Sequence, residues 1–438
     1  MKDLPVIIYE NIPPRASNAH GLSDYVNELR MLVSQNSEEY PLHEHLLKLP
    51  RDQRVLALTE EAAARYRSDR LKYVIVIGIG WSNLGAKAVY DAMRGVLGEL
   101  TTASPKLLFA DTVSSSLLSN MTEFLEHHVT HADELVINLI SKSGTTTESI
   151  VNFEILYRSL AEKFPDIASR IVVTTDHGSR LWNEGERLGF GLLPIPNEVG
   201  GRYSVFSAVG LFPLLLAGID IMELRAGGSA MLEQCILDNI SLNPALIAAQ
   251  TIHAAHQEGA TIHNLFLFNP ELESLGKWER QLIAESLGKE CDLSGAVVRA
   301  GITPIVSIGS TDLHSMAQLY FGGPRDKFTT IVQADAPRQP RVSDQEVLHE
   351  LVSGLSGKSP SDIMQAIVSG VRVAYKKNKL PVALVRLSEI SPYTLGAYLL
   401  WRMATVMYLA KLMRVNAFDQ PNVEDYKIAT REFLEEHQ

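Results

Sequence analysis

Val74-Ile75-Val76-Ile77-Gly78-Ile79-Gly80-Trp81-Ser82-Asn83-Leu84-Gly85 is an apolar, β-branched run that breaks into glycines and then takes up helical spacing over 86–93. A run with no polar face predicts a strand covered on both sides, and strand, glycine turn and helix in succession begin a parallel α/β unit. Such a turn offers free backbone N–H groups to an anion at the helix start. It falls short of a dinucleotide signature, because Asn83 stands where the third glycine of GxGxxG belongs. A turn that needs glycine only for its backbone shape is the plainer alternative.

Outward from this unit the pattern repeats. Strand-like runs at 106–111, 134–140 and 171–175 alternate with a helical pattern over 148–164. After a largely helical stretch, 206–256, a second series appears: strands at 263–268, 303–308, 328–334 and 380–387, with helical spacing over 273–287, 363–376 and 395–413. The alternation predicts an α/β protein of two doubly wound domains, parallel sheets flanked by helices, over 46–225 and 226–415. Residues 1–45, with helical spacing only over 24–33, read as an N-terminal arm where no core begins, and 416–438 as a C-terminal helical segment. Ligands of such sheets bind beyond the carboxyl ends of the strands, so the chemistry belongs there.

Composition narrows the classes. The 438 residues are 46% hydrophobic and 21% charged, which suits ordinary folded domains rather than disorder. A net charge of −11, with no basic run, argues against nucleic acid and anionic membrane as partners. Cys235 and Cys291 form no CxxC motif, and no apolar run reaches the ~18–20 residues of a membrane span. A reducing, cytoplasmic setting is expected. His127, His128 and His131 lie among acidic residues in what reads as a solvated turn, and no metal is expected there.

Five further segments carry candidate chemistry. Ser141-Lys142-Ser143-Gly144-Thr145-Thr146-Thr147-Glu148-Ser149 places six hydroxyls in nine residues at a strand-to-helix junction. Hydroxyls, helix N–H groups and Lys142 together favour a phosphate, whereas a Ser/Thr cap completed by Glu148 would explain only one or two of them. Gly200-Gly201-Arg202-Tyr203-Ser204 frees the backbone before an Arg that can stabilise an oxyanion, a surface ion pair being the commoner use. In 278–289, Glu285 shares the apolar face of Trp278 and Leu282, with Gln281 one turn earlier. An inward carboxylate whose pKa is raised by desolvation suits a general base, and an internally paired structural Glu is the alternative. His314, after the run at 303–308, and Lys427, after Asn416-Ala417-Phe418-Asp419-Gln420, are candidates for proton exchange, although most such residues are merely solvated.

In this order the segments resemble the signatures of the glucose-6-phosphate isomerase family, which has two sugar-isomerase (SIS) domains of flavodoxin-like type. The match runs from Val74 to Lys427 and is most specific at 200–211 and 281–289. The resemblance implies interconversion of glucose 6-phosphate and fructose 6-phosphate with no metal or organic cofactor. It implies Glu285 as the base between C1 and C2, Arg202 as the enediolate partner, and His314 and Lys427 in ring opening. Gly80, Ser82, Ser141, Lys142, Ser143, Thr145 and Thr146 would hold the phosphate and nearby sugar, with Gln281 and Gln420 completing the pocket. The family is usually dimeric and draws its active-site His from the neighbouring subunit, which puts His314 in trans. Trp81 stands where the family usually has glycine, and its indole would narrow the sugar pocket or reshape the loop. Three rivals remain at this point: an isomerase that also accepts mannose 6-phosphate; a noncatalytic sugar-phosphate sensor, which needs the phosphate loop but no base; and a dehydrogenase, told apart by whether NAD binds.

Overall fold

Continuous apolar runs become strands that are buried on both faces. In the computed structural model, which describes residues 3–13, 20–35, 39–101, 105–336, 340–345, 347–348 and 351–436, the N-terminal strand β1 (Val6–Glu10) precedes a five-stranded sheet. That sheet comprises β2 (Tyr73–Ile77), β3 (Lys106–Ala110), β4 (Leu135–Ile140), β5 (Ile171–Asp176) and β6 (Gly191–Ile195). Its order is β3-β2-β4-β5-β6, all parallel, with Ile75 of β2 opposite Leu108 and Ile137. Val74 to Ile77 and the whole of β4 are buried, as expected of strands with helices over both faces.

A second sheet contains β7 (Ile262–Leu267), and a hairpin of β8 (Lys289–Cys291) and β9 (Val297–Ala300) separates it in sequence from β10 (Thr303–Ile308), β11 (Lys327–Ala334) and β12 (Val382–Leu387). Its order is β1-β12-β11-β7-β10, parallel except for β1, which runs antiparallel to β12. Counted from its own first parallel strand, each sheet runs second, first, third, fourth. The direction of winding therefore reverses between β2 and β4, and again between β7 and β11, and the loops that follow β2 and β4, 78–85 and 141–149, are ones singled out by sequence.

Helix Pro392–Met413, capped by Ser391, is buried from Thr394 to Ala410 and packs on helices Ile221–Cys235 and Pro244–Gln257. No helix among the described residues is long and apolar enough to cross a membrane.

The structure departs from the sequence reading in several places. The helix expected over 86–93 is Trp81–Thr101, with a break at Gly95 (φ 64°). β6 went unread because Gly191 and Pro194 interrupt its pattern, yet as an edge strand it tolerates a proline. The N-terminal segment is set deeper than an arm: in helix His20–Ser34, Leu22, Tyr25, Val26 and Leu29 enter the main core, with Tyr25 edge-on to Tyr408 at 5.9 Å. Its positions 1–2, 14–19 and 36–38 lie outside the described residues.

Candidate active site

The glycine turn after β2 closes on itself and on the second half of the chain. Asn83 is buried and its Nδ2 donates to the Gly78 carbonyl at 2.6 Å, so the residue that spoils the dinucleotide signature is what holds the turn. Gly80 adopts φ +58°, and a Cβ there would sit 3.0 Å from Gln281 Nε2. A side chain at position 80 would therefore be strained twice, by its backbone and by its neighbour. Ser82 is buried, and its Cβ lies against Gly78.

After β4, the hydroxyl-rich loop turns into helix Thr147–Lys163. Thr146 occupies the capping position but makes no side-chain cap bond, so the cap explanation for this cluster fails. The hydroxyls bond among themselves instead: Ser141 Oγ pairs with Thr146 Oγ1 at 2.9 Å and accepts from Gly144 N, while Thr145 N and Oγ1 both donate to Ser143 Oγ at 3.3 Å. The first N–H groups of the helix thus lack side-chain acceptors from the cap, which is what an anion would use. Lys142 does not reach into this loop: its Nζ donates to the carbonyls of Asn197 and Val199 at 2.6 and 2.9 Å, leaving it a positive charge at the rim.

Asp176, at the end of β5 beside Lys142, has its carboxyl pushed up to about 6 by burial, against the pull of Lys142, with Glu198 adding to the rise. Its unfolded value lies near 3.8, so between those values the folded chain binds more protons, and stability falls as pH rises through that window. Asp176→Asn is expected to raise the melting temperature over the parent at pH 8 and to lose that advantage as pH drops toward 4. Thermal melts across this range check it, and an advantage that persists unchanged in acid would contradict it.

The centre of the site is an ion pair that joins residues from both halves. Helix Glu273–Leu287 lies against helix Trp81–Thr101 and presents Glu285 between two donors. Gln281 Nε2 donates to its Oε1 at 2.6 Å and Arg202 Nη1 to its Oε2 at 3.2 Å. Glu285 keeps 28% of its side chain exposed while Arg202 keeps 3%. Thus the guanidinium is buried and the carboxylate opens toward solvent. Arg202 is held from every side, by Ser286 Oγ (2.8 Å), the Ala417 and Asp419 carbonyls (2.7 and 3.0 Å) and Gln420 Oε1 (3.3 Å). A charge fixed by so many acceptors is preorganised for an anion that forms beside it.

His314 and Lys427 are not part of this cluster. His314 is exposed on the short helix Thr311–Ser315 beyond β10 and makes no hydrogen bond to Glu285, Arg202 or Gln281. Lys427 lies on helix Glu424–Glu436, which buries no side chain, and pairs with Glu424 at 2.6 Å.

Lys289 had no role in the sequence reading. It is buried, donates to the Glu285 and Asp419 carbonyls (both 2.6 Å) and pairs with Asp419 Oδ1 at 3.1 Å, and burial, partly countered by Asp419, lowers its pKa. It ties the end of the Glu285 helix to the loop that holds Arg202. Only its spacing, four residues after Glu285, hinted at this.

Residues 55–438 match the family model for phosphoglucose isomerase. The chain is 31% identical over 400 residues to a glucose-6-phosphate isomerase of Carboxydothermus hydrogenoformans, covering 89% of this chain and 84% of that one. It is 33% identical over 386 residues to a glucose-6-phosphate isomerase of Streptococcus agalactiae, covering 86% and 83%. Among solved structures, a hypothetical protein of Thermus thermophilus superposes with a TM-score of 0.84 at 28% identity, over 98% of this chain and all of that one. A glucose-6-phosphate isomerase of Chlamydia trachomatis shares the fold with a TM-score of 0.77 at 19% identity, over 95% and 84% of the two chains.

Proposed function

The chain belongs to the phosphoglucose isomerase family, and on that premise we propose how this aldose–ketose isomerase interconverts glucose 6-phosphate and fructose 6-phosphate. Glu285 carries the proton between C1 and C2. Arg202 stabilises the enediolate that forms between them, because a carbon acid next to a carbonyl ionises readily only when its new oxyanion is met by a fixed positive charge. The sugar's phosphate sits on the loop of Ser141, Ser143, Thr145 and Thr146 and the N–H groups of the following helix, with Lys142 supplying charge at the rim and Gly80 and Ser82 the facing wall. Held there, the remote phosphate orients the reacting carbons without taking part in the chemistry. Gln281 orients Glu285, and Gln420 lines the pocket.

Ring opening is assigned to His314 and Lys427. His314 is exposed on helix Thr311–Ser315, away from the Glu285 cluster of its own chain, and its delivery to the site of a second copy in a homodimer is part of the proposal. Lys427 would approach by movement of its peripheral helix. The observation that carries the reading is the pairing of a partly open Glu285 with a buried, immobilised Arg202. A sugar-phosphate sensor has no use for that pair.

The test is a coupled assay of glucose 6-phosphate formation from fructose 6-phosphate by the purified chain. The expected result is turnover at about 1–10³ s⁻¹, the ordinary enzymatic range. Binding of the sugar without turnover would favour the sensor and defeat the proposal. Including mannose 6-phosphate in the assay measures how strictly the pocket reads C2.

A further inference from the structure

The turn after β2 bears one bulky side chain, and its position is specific. Trp81 opens helix Trp81–Thr101 and is partly buried against the core. A Cβ built on Gly201 would overlap the Trp81 ring atoms Cγ, Cδ2 and Cε2 together. Crowding by three atoms of one ring means that the indole presents its face to Gly201, and that only glycine fits beneath it.

Gly201 immediately precedes Arg202 and follows Gly200. Two glycines in succession leave the backbone at the root of that arginine with the widest choice of conformations. The far end of the side chain is pinned by Ser286, Ala417 and Asp419. Its root is held by two turn bonds, Tyr203 N to Gly200 O at 2.9 Å and Ser204 N to Gly201 O at 3.0 Å, and by the indole lying on Gly201. The adjacent Gly80 abuts Gln281, which orients the other member of the ion pair. Gly80 and Trp81 therefore bear on both partners of the reacting pair, one residue to each.

We propose that Trp81 is a positioning residue for the isomerisation. Its indole clamps the Gly200–Gly201 hinge, so that the Arg202 guanidinium meets the forming enediolate with no reorganisation of its backbone. The inference rests on the function proposed above. Trp81 itself touches neither Glu285 nor the guanidinium by hydrogen bond; it acts through Gly201.

The experiment is a cycle of four proteins: parent, Trp81→Ala, Gly201→Ala and the double variant, assayed for kcat and KM with fructose 6-phosphate after circular dichroism confirms folding. Loss of the clamp in Trp81→Ala should lower kcat about tenfold and leave KM within about twofold, because the hydroxyls of Ser141, Ser143, Thr145 and Thr146 that grip the phosphate are unchanged while transition-state stabilisation is lost. Gly201→Ala must push the indole aside and should lose roughly a hundredfold. In the double variant the methyl has room, and kcat should recover to the level of Trp81→Ala or better; relief of packing alone would restore that too, so it is the loss in kcat at nearly constant KM that separates positioning from a general structural role. Should Gly201→Ala fail to fold, Trp81→Phe replaces it: an aromatic face retained over Gly201 should keep kcat about fivefold above that of Trp81→Ala. Parental kcat in Gly201→Ala, a double variant no faster than Gly201→Ala, equal kcat in Trp81→Phe and Trp81→Ala, or a loss confined to KM would each overturn the inference while leaving the functional reading intact. A parent that turns over neither hexose phosphate overturns the functional reading, and this inference with it.

Discussion

Glu285→Gln should retain the fold and sugar-phosphate binding and lose turnover by roughly 10³–10⁴-fold, the upper part of the range for removing a general base. The substitution is nearly isosteric. The amide oxygen can still accept from Arg202, whose own position depends on four other acceptors rather than on this carboxylate. Glu285 is also partly exposed, so losing its charge costs little in the folded state. The change therefore isolates proton transfer from packing. Steady-state kinetics in both directions, paired with calorimetric titration of fructose 6-phosphate, check it. A Glu285→Gln protein that isomerises at the parental rate would falsify the assignment of the base.

The second large effect lies six residues earlier on the same helix and has the opposite character. Glu279 and Arg402 form an ion pair with each side chain only 1% exposed, at 2.6 Å, and Tyr398 donates to the other carboxylate oxygen. Arg402 Nη2 has no hydrogen-bond partner among the described residues. Removing the carboxylate would leave a guanidinium buried in the core without its counter-charge, and breaking such a pair costs about 3–5 kcal/mol. Glu279→Gln should thus lower the denaturation midpoint markedly while the protein that remains folded keeps kcat within about threefold of the parent. The double variant Glu279→Met with Arg402→Leu should recover much of the stability, since two matched apolar side chains replace the pair at little cost. A Glu279→Gln protein that unfolds with the parental midpoint would show that solvent or relaxation compensates the orphaned charge.

The two carboxylates also mark the limit of helical spacing as a guide. Glu285 was singled out because it shares a face with Trp278 and Leu282, and those two are buried. The more deeply buried acid is Glu279, which the same spacing passed over. The reason is that this helix packs against helix Trp81–Thr101 on one side and helix Pro392–Met413 on another, as well as β10. Its buried surface is wider than one stripe, and the angle around the axis no longer separates a core position from a site position. The partners of Lys142 were hidden for a similar reason: its charge was legible, but the carbonyls of Asn197 and Val199 that hold it lie 55 and 57 residues away.

What the chain order alone determined is what neighbouring residues decide among themselves. The apolar runs of β2 and β4, the glycine turn at Gly78 and Gly80, and the hydroxyl cluster at the start of helix Thr147–Lys163 follow from backbone propensity, burial on two faces and small side chains, all acting within a few residues. Tertiary structure decided which charges meet. Arg202 reaches Glu285 across 83 residues and Arg402 reaches Glu279 across 123, and in each case the folded surroundings set the exposure that makes one pair open and the other sealed. An ion pair's role depends on its desolvation and on the other acceptors around it. Both are properties of packing in three dimensions, which spacing along the chain does not encode.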